Sequence, residues 1–258
     1  MLSREWLQAF VPLGILVGQQ EWRAVGAGVV FLEHDILWLV TARHVVANGG
    51  AQRIAPIFDQ ADNTVGVVPL GEFQRFHSFG WIEDKVADLA VSPLPAASGA
   101  RLKAVTRRDC ILIKDLVPSM PSYTVGCPYG VVGLDPARPR PLVLDGVVSG
   151  TRESDNVIFT SAPTFPGNSG GPLVVYRSPF NAAGGLRVGQ PPVLFAGIVL
   201  ATTMVPSPDR NAGLPPLHLG MVRSADVVLE LLGSAASADL AARLKGSPNL
   251  ANPSRPNP

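Results

Sequence analysis

Cysteine is scarce in this chain: Cys110 and Cys127 are the only two among 258 residues. Two thiols cannot build the dense disulfide framework of small secreted domains, and both are read as free. Charge is scarce too. Only 16% of residues are Asp, Glu, Lys or Arg, the net charge is +1 and the basic residues are scattered, which argues against nucleic acid or an anionic membrane as partner. No run reaches the ~18 apolar residues that span a bilayer. The opening MLSREWLQAFVPLGILVGQQ has no basic leader, no unbroken apolar core and no small-residue cleavage site, so a cytoplasmic location is expected. Helical periodicity is rare as well, and 26 Gly with 25 Pro interrupt the chain too often for a helical bundle. At 47% hydrophobic, the chain is still too apolar to be disordered.

What is present is a succession of short apolar runs between Gly/Pro turns. After an amphipathic turn behind Ser3, carrying Leu2, Trp6, Leu7 and Phe10, the run PLGILVG reads as a strand. Residues 28–32 and 36–40 form a hairpin across EHD, and RIAPIFD and TVGVVPL flank the turn QADN. ADLAVSPL, CILIKDL, YTVGCPYG, LVLDGVVSG, NVIFTSA, GPLVVY and PVLFAGIVLATT continue the series. This is the texture of barrels or sandwiches. One late segment differs: SADVVLELL places Val227, Val228, Leu231 and Leu232 at helical spacing behind Ser224 as N-cap. From residue 235 to 258 the chain reads as a flexible tail. Loops at 132–142, 177–192 and 203–216 are long enough to be functional.

The densest chemistry surrounds Ser169 in TSAPTFPGNSGGPLVVY. A serine hydroxyl needs a base to become a nucleophile, and its tetrahedral adduct needs donors for the oxyanion. With Gly167 in a conformation closed to other residues, the N–H groups of Gly167 and Ser169 can converge on one point. Of four histidines, His34 sits in the turn EHD and is expected to be solvated, while His77 and His218 lie in irregular or terminal positions. His44 alone is delivered by a buried apolar run, LWLVTARHVV, and neutral imidazole is a base of suitable strength. Asp88, directly before Leu89–Val91, is the candidate orienting carboxylate; Asp84, in a charged loop, is expected to be solvated.

These segments together resemble the chymotrypsin-like serine peptidases, most closely the bacterial HtrA-type domains. AGVVFLEHDILWLVTARHVV is similar to the family's histidine hairpin, ADLAVSPL to its D-L-A strand and FPGNSGGPL to its nucleophile loop. YTVGCPYG, LVLDGVVSG, FAGIVLATT and LGMVRSADVVLELL follow in the family's order, over residues 12 to 233. The resemblance implies an all-β fold of two six-stranded antiparallel barrels with a short C-terminal helix. It places an extension at 1–11, a peptidase domain at 12–234 (barrels at about 12–110 and 111–222, helix at 224–233) and a tail at 235–258. His44 would be the general base, Asp88 its partner and Ser169 the nucleophile, with Gly167 and Ser169 forming the oxyanion hole and no metal or cofactor required. Family alignment lines the pocket for the residue before the scissile bond with Pro163, Thr164 and the strand Ile198, Val199, Leu200, Ala201 and Thr202. None of these is acidic, so a small or medium apolar residue is expected there.

The departures from the pattern are informative. Val45 replaces a half-cystine found in many secreted members, and Asn168 replaces the Asp that pairs with a freshly cut N-terminus. Control by loops or by an activating partner protein is therefore expected rather than N-terminal trimming, and a peptide or protein is the expected substrate. No PDZ module is expected after residue 234. Two rival readings remain. One is a non-catalytic peptide-binding or scaffold module; the other is an α/β-hydrolase using Ser169, Asp209 and His218, since GNSGG also satisfies G-x-S-x-G. The strand-like GGPLVVY after Ser169 argues against the latter.

Overall fold

The computed structural model describes residues 4–17, 21–60, 65–68, 70–95, 100–128, 141–178, 192–204 and 216–245. The three long loops fall mostly outside these residues, as do Ser3 and Asp209. The chain opens with α1 (Arg4–Leu7) and then alternates short strands with turns. β1 (Phe10–Val17) pairs with β2 (Glu21–Glu33), and β2 with β3 (Ile36–Ala42). The β2–β3 turn holds two residues, His34 and Asp35, both left-handed at φ 53° and 61°. That geometry matches the twist of the flanking strands. His34 is not solvated as expected: its Nε2 lies 3.2 Å from the Leu232 carbonyl, which docks the turn on the C-terminal helices.

β4 (Ile54–Asp59), β5 (Val65–Val67), β6 (Ile82–Asp84) and β7 (Leu89–Pro93) complete the first sheet, in the order β5-β4-β1-β2-β3-β7-β6. In the second half β8 (Pro121–Gly126), β9 (Leu142–Arg152), β10 (Val157–Thr160), β11 (Pro172–Tyr176), β12 (Val193–Met204) and β13 (Pro216–Ser224) close into a six-stranded barrel. The all-β, chymotrypsin-like class holds. The first half differs in count, with seven strands rather than six, and its end strands β5 and β6 are not paired with each other among the described residues. The core falls into separate clusters: the largest joins the first sheet to Val174, Val193, Phe195, Ile198 and Leu200 of the second half, with Phe31 of β2 meeting Phe195 of β12 edge-on at 5.1 Å, while Val148, Ile158, Leu173, Val175 and Val222 belong to a second one.

Several segments depart from expectation. CILIKDL is not a strand. Thr106 and Asp109 close a capping box, and the Ile113 N–H is taken by Asp226 at 2.9 Å, so two 3-10 turns replace the ladder. Two helices lie where the sequence predicts strand or loop, α2 (Arg43–Gly49) and α3 (Leu70–Phe76). α4 (Ala225–Leu232) is the expected helix, yet the Ser224 hydroxyl at its N-cap makes no capping bond. Residues 235–244, expected to be tail, form α5 (Ala235–Leu244): Ser234 caps Ser237 N, while Leu240, Ala241 and Leu244 are buried. Cys110 and Cys127 are free thiols. Burial, with a contribution from the Asp109 charge at Cys110, pushes each up to about 12. Among the described residues no helix is long and apolar enough to cross a membrane.

Candidate active site

β3 is buried at every position and ends at Ala42, where the chain turns into α2 with His44 in its first turn. Val45 and Val46 bury behind it, so the rigid strand and a two-residue apolar anchor fix the imidazole's base. Asp88 stands directly before β7, which pairs with β3 and brings the two residues side by side. The Asp88 carboxylate meets His44 twice. Its Oδ2 lies 2.7 Å from His44 Nδ1, and its Oδ1 accepts the His44 backbone N–H at 3.1 Å. The Asp88 carbonyl also accepts the Arg43 N–H at 2.9 Å.

Asp88 reaches this position at a price in backbone strain, with φ at 57°. The turn that holds it is built by Asp84, whose Oδ1 accepts the N–H groups of Val86 and Ala87 at 2.9 Å each. Asp84 is thus a structural turn-builder rather than an idle solvated carboxylate. Partial burial alone would raise the Asp88 carboxyl. The hydrogen bond and charge of His44, with its backbone N–H and the Arg43 charge, outweigh that and hold it below the usual carboxylate value.

Two successive tight turns present Ser169. Asn168 N–H donates to the Phe165 carbonyl at 2.9 Å across Pro166 and Gly167, the latter at φ 100°. Gly171 N–H donates to the Asn168 carbonyl at 2.9 Å across Ser169 and Gly170, the latter at φ 84°. A positive φ at the third residue marks the type II turn, and Pro before Gly in the first is its preferred sequence. Gly170 has a second reason to be glycine: a Cβ there would lie 2.1 Å from the Ala27 carbonyl and 2.2 Å from Thr41 Oγ1. Among the described residues, the Gly167 and Ser169 N–H groups donate no recorded hydrogen bond. Both amides therefore remain available to an incoming acceptor.

The two halves hold each other's candidate residues. The Ala27 N–H of β2 donates to the Ser169 carbonyl at 2.9 Å. Arg223 of β13 reaches back with its Nε to the Ala87 carbonyl, next to Asp88, at 2.9 Å, and with its terminal nitrogen to the Asp155 carbonyl. The Ser169 hydroxyl donates to the Leu200 carbonyl at 3.0 Å rather than to the His44 ring. Ile198, Val199 and Leu200 are buried in β12, Ala201 is exposed and Thr202 half-buried. Pro163 is exposed, its carbonyl bonded by Thr124 Oγ1 at 3.0 Å, and Thr164 is buried beside Thr202.

Of the other histidines, His77 directly follows α3 and is in edge contact with Phe73, and His218 belongs to β13. The α/β-hydrolase reading fails on the backbone, because Ser169 leads into β11 of an antiparallel barrel instead of a helix. Sequence reasoning gave Asp84 no structural role, and it missed the Arg223 contact and the bond from Ser169 to the Leu200 carbonyl. Asp84 two residues before Val86 is the signal of an Asx turn; the other two contacts leave no local trace.

Residues 26–178, more than half of the chain and including all three candidate side chains, match the family model of the trypsin-like peptidase domain. No curated protein matches the chain. By that match and by its fold, the chain belongs to the trypsin-like peptidases, within the chymotrypsin-like serine peptidase family.

Proposed function

We propose that the protein is a serine endopeptidase in which Ser169 attacks the peptide carbonyl, His44 takes and returns its proton, and Asp88 orients the imidazole. The single observation that supports it most is the paired contact of Asp88 with His44, at 2.7 Å to the ring and 3.1 Å to the backbone. It leaves Nε2 as the ring nitrogen free to accept a proton, given Nδ1–H toward the carboxylate. In the resting arrangement Ser169 Oγ bonds to Leu200 O, so attack begins with rotation of the hydroxyl toward His44. The tetrahedral oxyanion would then meet the N–H groups of Gly167 and Ser169, each such donor supplying about 3–4 kcal/mol of transition-state stabilisation. Collapse expels the amine, protonated by His44, and water repeats the sequence on the acyl-enzyme.

The parked hydroxyl also favours regulation. A partner protein or the substrate itself would release Ser169 from Leu200, consistent with Asn168 standing where a charge-paired Asp would otherwise organise the turn. The nearer likeness to HtrA-type domains rests on the sequence motifs alone. Casein turnover by the wild-type protein, alone and with cell extract, tests the reading against Ser169→Ala. Cleavage by the wild type in either condition and none by the variant is expected. Equal turnover by both proteins, or none by either, overturns it.

A further inference from the structure

Beside the nucleophile, two threonines form a reciprocal clasp. Thr202 Oγ1 donates to the Thr164 carbonyl at 2.7 Å, and the two hydroxyl oxygens lie 2.9 Å apart. A hydroxyl has one proton, so with Thr202 committed to the carbonyl it is Thr164 that donates across the second contact. Thr164 is 8% exposed, and opening the clasp would leave a buried hydroxyl and carbonyl without partners. Gly220 of β13 is paired with both Thr202 and Thr160, and the space above it is already taken. A Cβ at Gly220 would lie 2.6 Å from the Thr164 methyl and 3.0 Å from that of Thr160.

The clasp lies close to the nucleophile. Ser169 Oγ is 3.0 Å from the Leu200 carbonyl, two residues before Thr202, and Thr164 directly precedes the Phe165–Asn168 turn that leads into Ser169.

We infer that the side chain of a residue acylating Ser169 enters between the 163–167 and 200–202 segments, and that the Thr164–Thr202 clasp, with the Thr164 methyl over Gly220, makes this a peptidase for the smallest residues, cleaving after Ala, Ser or Gly and excluding Leu and larger side chains. The inference rests on the serine-peptidase reading and narrows it from small or medium residues to residues of at most one heavy atom beyond Cβ. The excluded class is set by sterics, and Thr202 is its specificity-determining residue.

Labelling of the intact protein by peptidyl diphenyl phosphonates differing only in the residue before phosphorus tests it, alongside a fluorophosphonate with no such residue. In the wild type the alanyl probe is expected to react at least about tenfold faster than the leucyl probe. Thr202→Ala is expected to reduce that ratio about tenfold by admitting Leu, while Thr202→Ser, which keeps the hydroxyl, preserves it. Fluorophosphonate labelling with equal alanyl and leucyl rates in the wild type overturns the clasp but leaves the peptidase reading standing. No labelling by any probe overturns that reading, and the clasp's role with it. An unchanged ratio in a folded Thr202→Ala also overturns the clasp; if that variant does not fold, the wild-type ratio alone decides.

Discussion

Asp88 grips His44 at two points, its Oδ2 at 2.7 Å from the ring Nδ1 and its Oδ1 at 3.1 Å from the backbone nitrogen. The second contact ties the carboxylate to the helix that carries the ring, so both tautomer and ring orientation are set by one side chain. Asp88→Asn keeps the shape but can present an N–H to Nδ1, favouring the wrong tautomer. Its turnover of a cleaved peptide is expected to fall about 10³–10⁴-fold. A loss below tenfold would mean that the ring is oriented by something else.

The same pair carries a pH signature. Because the folded carboxyl of Asp88 is held below its usual value, its contribution to stability is fully present above the ordinary carboxylate range, near 3.9, and is lost as pH falls through the lowered folded value. The melting-temperature gap between wild type and Asp88→Asn is expected to close in acid, below the ordinary carboxylate range, as the Asp88 carboxyl is protonated. A gap that widens in that acid range would reverse the sign.

Gly170 joins two demands, a φ of 84° and a neighbouring carbonyl that a Cβ would strike at 2.1 Å. That carbonyl belongs to Ala27 of the first sheet, so the contact lies where the two halves meet. Gly170→Ala is expected to cost about 2–4 kcal/mol, the strain of a left-handed residue plus displacement of backbone. Thermal unfolding reads this as a fall of roughly 4–15 °C. A drop under 2 °C would show that the turn adapts freely.

Both thiols are pushed up to about 12 by burial. At pH 8 they are almost entirely protonated in the folded protein, and the thiolate is the reactive form. Iodoacetamide is expected to modify neither Cys110 nor Cys127 appreciably in native buffer and both rapidly in denaturant, as read by intact mass. Fast modification of the folded protein would contradict the burial of these side chains.

Much of this arrangement was legible in the sequence because it is local. The apolar runs of β2 and β3 across EHD, the strand after Asp88 and the Pro-Gly and Ser-Gly pairs of the nucleophile loop announce themselves within a few residues. α2 was less legible, since Val45 and Val46 are β-branched and extend the apolar run of β3, and nothing nearby marks the change of direction. α5 was hidden by an Ala/Ser composition that resembles a tail, although Ser234 as a cap and Leu240 with Leu244 four apart are the helical signal. Contacts that join distant positions were not legible at all. Arg223 finds the Ala87 carbonyl across 136 residues, and Thr164 meets Thr202 across 38. Such pairs are set by how segments far apart in the chain pack together, within a barrel or between the two halves, which no window of sequence encodes.

The most direct test is labelling with a fluorophosphonate, comparing wild type, Ser169→Ala and His44→Ala. Label on the wild type at Ser169, and on neither variant, is the outcome that the Asp88–His44–Ser169 arrangement requires. Strong labelling of folded Ser169→Ala, or a wild-type protein that takes no label with or without cell extract, would contradict it.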